Sequence, residues 1–360
     1  MRYRSRGTVE APQSHLRSPG TLEIGVSELG FCHQRSRIAF SALVAVLVGA
    51  GPLTAIEPYC QQNPAVYCND FETHSWEGME HDDDATLVTA GVPGLHTFQG
   101  SGSVEAVLDT DGTGASFGYR FFGEERIYVR FYMKWDSAWD RPMHHFFAVH
   151  GDRDDDPWSC HGTAGCRPNG IKCLNGATVD SRETVPDVLP GEPFFYSYFP
   201  DMSCDPGSHC NTYADANAIC EGCANRGLPC NNGLECCWGN HFNLNQGTAV
   251  SMEQDRWYSV ETMIRANTVF LGAGNYDGEM ALWIDGELVA HHTGVLWRHT
   301  EELLLNHFIV WNYFPEASQS YRIWFDNIVI STTHIGAFGE MVFQDGFESG
   351  DTAAWTGSVP

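Results

Sequence analysis

Basic residues are scarce. The 360-residue chain has 20 Lys and Arg against 46 Asp and Glu, a formal charge of −26, and its only lysines are Lys134 and Lys172. Phosphate binding needs a basic face, so no nucleic acid is expected as a partner. Long apolar runs are scarcer still. Ile38 to Ala50 (IAFSALVAVLVGA) has 13 residues, short of the about 20 that cross a bilayer. Amphipathic helical periodicity is missing, and so is any alternation of strands with helices, which excludes a doubly wound α/β fold. Disorder is excluded by what is present, 42% apolar and 12% aromatic residues.

The short apolar run has the form of a secretory signal. Arg35 and Arg37 precede it, and Gly51, Pro52 and small residues near Ala50 or Ala55 follow it. Residues 1–55 are therefore read as a leader with its apolar core at 38–50, and the 37 residues ahead of that core suggest a true start codon further downstream. The expected location is secreted, periplasmic or cell-surface, with no membrane span after signal removal. The leader holds six Arg, three Glu and Cys32, so the remainder has 14 basic and 43 acidic residues, a charge of −29, and 12 cysteines. An even cysteine count in an exported chain reads as disulfides.

Strand patterns dominate what remains. Arg126 to Asp136 (RIYVRFYMKWD) alternates, with Ile127, Val129, Phe131, Met133 and Trp135 on one face and Tyr128, Arg130, Tyr132 and Lys134 on the other. Trp257 to Arg265 repeats this, with Tyr258, Val260, Thr262 and Ile264 opposite Ser259, Glu261 and Arg265. Further strands are expected at 66–72, 103–108, 116–122, 144–150, 193–199, 279–284, 288–292, 306–314 and 321–331. Asp285-Gly286 marks a type I′ hairpin, and Thr300-Glu301-Glu302 can open a short helix. Many strands without βα alternation predict an all-β, antiparallel two-sheet sandwich spanning 56–340, with a tail motif at 341–360.

Residues 203–248 break the pattern, being rich in Cys, Asn and Gly without periodicity. They are expected to be a long disulfide-stabilised insertion. Cys60 and Cys68 are placed to close a small loop. Three cysteines then remain at Cys160, Cys166 and Cys173, and seven at Cys204, Cys210, Cys220, Cys223, Cys230, Cys236 and Cys237. Both groups are odd, so full oxidation requires at least one bridge between the two loops. Cys220-x-x-Cys223 has zinc-ligand spacing, but adjacent Cys236 and Cys237 make a poor second pair, and export favours disulfides.

CNDFE (68–72), WYSVETMIRANT (257–268), GEMALWIDGELV (278–289) and WFDNIVISTTHIGAF (324–338) resemble the concanavalin A-like lectin/glucanase jelly rolls. The match is nearer to the branch holding alginate-lyase-like polysaccharide lyases and uncharacterised secreted relatives, and it covers most of 66–338. The resemblance implies a jelly roll that binds an extracellular polysaccharide across one sheet, with no required cofactor and structural calcium near the first and last strands, at Asp70 and Asp326. The tail QDGFESGDTAAW (344–355) resembles a C-terminal signature of secreted bacterial proteins.

Placed on such a sheet, the polar stripes suit β-elimination in a uronic-acid polymer, which needs a cation on the carboxylate, a base and an acid. The expected allocation is Arg130 or Arg265 on the carboxylate, His144 or His145 as base, and Tyr128 or Tyr132 as acid, with Lys134 and Glu261 binding substrate. Strand alternation sends His144 and His145 to opposite faces. The same residues also suit a buried structural network, in which Glu261 pairs with Arg130 or Arg265. A glycosidase is disfavoured because the Glu-x-Asp-x-Glu strand motif of retaining glucanases with this fold is absent. The acidic turns at 109–114 and 152–156 lack the closing Glu of an EF-hand. The leading expectation is a polysaccharide lyase, and the alternatives are a non-catalytic lectin or adhesion module and a structural envelope protein.

Overall fold

The computed structural model describes residues 57–110, 114–160, 165–203, 237–311 and 319–338. The expected leader, the tail, and Cys204, Cys210, Cys220, Cys223, Cys230 and Cys236 lie outside them. One short helix, α1 (Pro58–Gln62), precedes the strands β1 (Tyr67–Asn69), β2 (Glu80–His81), β3 (Ala85–Val88), β4 (Ser103–Leu108), β5 (Ser116–Glu124) and β6 (Arg126–Trp135). Then come β7 (Phe147–Asp152), β8 (Cys173–Arg182), β9 (Pro190–Ser197), β10 (Asn240–Phe242), β11 (Met252–Glu253) and β12 (Tyr258–Arg265). The last six are β13 (Val269–Phe270), β14 (Ala273–Gly274), β15 (Gly278–Ile284), β16 (Glu287–Val295), β17 (Leu305–Trp311) and β18 (Tyr321–Ser331).

These strands form the expected antiparallel sandwich. Sheet A has the order β16-β15-β12-β6-β18-β4-β3, with β1 also on β18. Sheet B has the order β10-β9-β8-β7-β17-β5-β2, with β11 also on β9. Alternation places Ile127, Val129, Phe131, Met133 and Trp135 in the core, where the Phe131 ring meets Phe147 of sheet B edge-on at 4.9 Å. Asp285 and Gly286 both take positive φ, 51° and 83°, as a type I′ turn between β15 and β16 requires.

Several sequence readings are corrected. The strand expected at 144–150 starts only at Phe147, so His144 and His145 precede it. Residues 300–302 form no helix; a turn leads into β17. The insertion expected over 203–248 contains β10, paired with β9. Central β8 was not expected at all. Its core side chains are Leu174, Ala177 and Val179, so the spacing changes from three to two. The cause is a register shift opposite β7, with Gly176 at φ 42° and a Cβ position only 1.6 Å from the Val149 carbonyl oxygen. Only glycine fits there, and the irregularity erases period-2 alternation.

Cys60 is bonded to Cys68, as expected, and Cys160 to Cys173. Cys166 and Cys237 are also disulfide-bonded. The Cys237 N–H donates to the Gly165 carbonyl at 3.0 Å, which sets these two segments side by side.

Candidate functional site

The polar stripe on β6 occupies the outward face of sheet A, but it lies under other chain segments. Arg130 is 1% exposed and pairs bidentately with Glu57, just before α1, at 2.6 and 3.1 Å. The Tyr132 ring stacks on Phe98 at 3.7 Å, and its hydroxyl oxygen accepts the Phe338 N–H. Buried Lys134 pairs with Asp255 at 2.7 Å and donates to the Gly94 carbonyl. Tyr128 is half-buried, its ring 6.0 Å from His334 and 6.1 Å from Trp283. Buried Glu261 accepts the Ile335 and Gly336 N–H groups at 2.9 and 2.8 Å. Burial raises its pKa, while His334 and those N–H groups pull it down. Arg265 pairs with Glu279 at 2.6 Å and with the Asp277 carbonyl.

The stripe is therefore not a groove. Residues 57–59, 94–99 and 335–338 cross it, and its charges hold those crossings to the sheet. The buried-network reading describes it, except that Glu261 pairs with neither arginine: Arg130 pairs with Glu57 and Arg265 with Glu279.

Asp326, expected near calcium, is fully buried and accepts the N–H groups of Phe98, Gln99 and Asn327. Burial raises its pKa well above the usual carboxylate range, against those bonds. Asp70 accepts the Glu72 N–H, and burial raises its pKa too. Neither carboxylate belongs to a close group of three His, Cys, Asp or Glu side chains among the described residues.

The outward face of sheet B is polar too and much of it is equally buried, with His150 and His307 at 0%, Asp180 at 3% and Tyr196 at 7% exposure. Its strands present Arg120 from β5, His307 from β17, His150 and Asp152 from β7, Thr178 and Asp180 from β8, Phe194 and Tyr196 from β9, and His241 from β10. His307 and His150 are direct cross-strand partners, and so are Thr178 and Tyr196, and Tyr196 and His241. At one end Asp152 accepts from Arg120 at 3.0 Å and from the Cys160 N–H at 2.8 Å, and the Arg120 guanidinium lies over Trp158. Burial would raise the Asp152 pKa, but His307, His150, Cys160 and Arg120 outweigh it and hold the carboxyl below its usual range.

At the other end Asp180 gathers both adjacent histidines. His144 Nδ1 lies 2.7 Å from one carboxylate oxygen, His145 Nδ1 lies 3.5 Å from the other, and the two rings are 3.8 Å apart. The expectation that they diverge fails because His145 has φ 55°, which breaks the alternation just before β7. Ser181 fixes that bend: its hydroxyl accepts the Met143 N–H at 2.7 Å and donates to the Pro190 carbonyl at 2.8 Å. Burial would raise the Asp180 pKa, but the two imidazoles bring it down to about 2.

Tyr196 stands beside this cluster. Its ring centroid is 5.1 Å from His145, 5.6 Å from His144 and 5.5 Å from His241, and its hydroxyl is 3.2 Å from that of Tyr198. Burial raises the pKa of both tyrosines, so both stay protonated.

The fold is the jelly roll of the alginate lyases. An alginate lyase from Aplysia kurodai shares it over 75% of this chain and all of that one, at 15% identity and a TM-score of 0.50. An alginate lyase from a Chlorella virus covers the same shares at 18% identity and 0.48, and an endo-β-1,4-glucuronan lyase from Trichoderma reesei covers 75% and 96% at 13% and 0.45. No protein-family model and no curated protein sequence matches the chain. No helix among the described residues is long and apolar enough to cross a membrane.

Sequence reading missed Asp180, Tyr196, Tyr198 and His241. For the tyrosines a signal existed, since FFYSYF in the expected strand 193–199 puts Tyr196 and Tyr198 on one face. For Asp180 none did, because its strand was hidden by the irregularity at Gly176.

Proposed function

We propose that the chain is an exported jelly-roll protein that binds a uronic-acid polysaccharide across the outward face of sheet B and cleaves it by β-elimination. The observation that carries this reading is Tyr196 flanked by three imidazoles, His144, His145 and His241. Elimination needs a base for the proton at C5 and an acid for the leaving oxygen at C4, and it forms a C4–C5 double bond. His241 is exposed and sits directly across from Tyr196, which suits it to the base role. Tyr196, kept protonated by burial, is the acid, with Tyr198 holding its hydroxyl. Arg182, paired with Glu192 and lying over Phe194, is a guanidinium on the same strand as Asp180. The fold's occurrence in an alginate lyase supports a polyuronate as the substrate class. The disulfides support export to an oxidising compartment.

The test is incubation with alginate, glucuronan and other polyuronates, read by ultraviolet absorbance of unsaturated chain ends. Tyr196→Phe keeps the ring and removes the proton. The expected outcome is a rate loss of roughly 10²–10⁴ with polymer binding within a fewfold. Silence across the panel refutes elimination, and saturable binding without product identifies a non-catalytic binding module.

A further inference from the structure

The two adjacent histidines have more in common with a ligand set than with an acid–base pair. We propose that His144, His145 and Asp180 bind one divalent transition-metal ion of the zinc class. Their donor atoms all lie within 4.8 Å of one another, the one such group of three His, Cys, Asp or Glu among the described residues. An ion about 2.0–2.1 Å from each donor needs donors roughly 3–3.5 Å apart. The 2.7 and 3.5 Å separations from the two Asp180 oxygens lie near that spacing, and the set as a whole lies within 4.8 Å, so the rings close by up to about 1 Å to hold the ion.

Two features point the same way. His145 Nδ1 is buried with no hydrogen-bond partner, although it faces a carboxylate oxygen. In the tautomer that leaves its lone pair on Nδ1, that nitrogen is free to bind an ion. The cluster is also built rigidly: the His145 N–H donates to Asp180 at 2.8 Å, and the bend at φ 55° is what turns both rings to one side. Two imidazoles favour zinc, copper, nickel or iron over calcium and magnesium, which prefer oxygen ligands.

Three protein ligands leave at least one coordination position open. Tyr196 stands beside the cluster, and the His144 side chain is 39% exposed. The charge of the chain gives that position a use. A protein with 46 acidic and 20 basic residues repels a polyanion, and screening acts only over a Debye length of about 8 Å. A bound cation next to Tyr196 supplies the local positive charge that a uronate carboxylate meets. That role rests on the lyase reading; the binding of the ion does not.

The experiment is titration of the chelator-treated, disulfide-intact protein with Zn²⁺, with Ca²⁺ as the comparison, followed by X-ray absorption on the zinc-loaded sample. The expected result is one Zn²⁺ per chain, a shell of two imidazoles with oxygen and no sulfur, and affinity at least 100-fold weaker in His144→Ala with unchanged thermal unfolding of the metal-free protein. Should that variant fail to fold, the absorption shell of the wild type decides. A shell containing sulfur, uptake unchanged by His144→Ala, or no uptake overturns the proposal. Zinc uptake of this kind without any elimination product upholds the site and defeats the lyase reading. Elimination by protein that takes up no zinc does the reverse.

Discussion

Removing Glu57 should destabilise the sandwich more than almost any other single charge change, and removing Arg130 with it should restore most of the loss. Arg130 and Glu57 are 1% and 2% exposed and share hydrogen bonds of 3.1 and 2.6 Å. In Glu57→Ala the guanidinium stays buried under α1 with neither bond, and its Nε already lacks a partner. Breaking a buried pair from one side costs about 3–5 kcal/mol. The carboxylate also accepts the Tyr59 N–H at 3.2 Å, and the loss of such a cap adds roughly 0.5–1 kcal/mol. Replacing both partners, Glu57→Ala with Arg130→Met, removes the stranded charge and should return stability to within about 1 kcal/mol of the parent. Urea unfolding of the disulfide-intact protein measures both variants, and an unchanged m value shows that the same cooperative unit unfolds. The reasoning is refuted if Glu57→Ala costs less than about 1 kcal/mol, or if the double variant is no more stable than the single one. It is equally refuted if Arg130→Met leaves stability intact while abolishing glycan binding, the result expected of a residue in an open groove.

Two further outcomes follow from the same structure. Asp152 has a folded-state pKa below its unfolded value, so the stability that it contributes is fully present above about pH 4 and is lost as pH falls through the folded value. The stability gap between wild type and Asp152→Asn, about 2–3 kcal/mol at neutral pH, should therefore shrink below pH 4 in acid-titrated unfolding; a gap that widens there contradicts the assignment. Gly176→Ala should cost about 3 kcal/mol or more, since its Cβ falls 1.6 Å from the Val149 oxygen, whereas Gly247→Ala, with a positive φ but open space around it, should cost roughly 1 kcal/mol in thermal unfolding.

How legible the sequence was depended on whether a residue's surroundings are local. The inward face of β6 was readable because period-2 alternation is a property of neighbours in the chain. The outward face of β6 was not. Tyr128, Arg130, Tyr132 and Lys134 spell the same pattern whether they meet solvent or a covering segment. The cover comes from residues 57–59, 94–99 and 335–338, far away in sequence. His144 and His145 were sent to opposite faces by a rule that holds only inside a strand, and one positive φ set it aside.

The sequence by itself determined the two-sheet sandwich, the Asp285-Gly286 hairpin and the Cys60–Cys68 loop, because each depends on side-chain period, turn chemistry or short separation. Only the tertiary structure decided which polar side chains hold crossing segments to sheet A and which gather around Asp180 on sheet B. Arg130 is buried because a distant carboxylate reaches it, and Asp180 meets two histidines because an irregular β8 pairs with β9 and with the bend before β7. Charge and hydrogen-bonding capacity are written in the chain; whether they are turned toward water, toward an ion or toward another segment is fixed only when the sheets close.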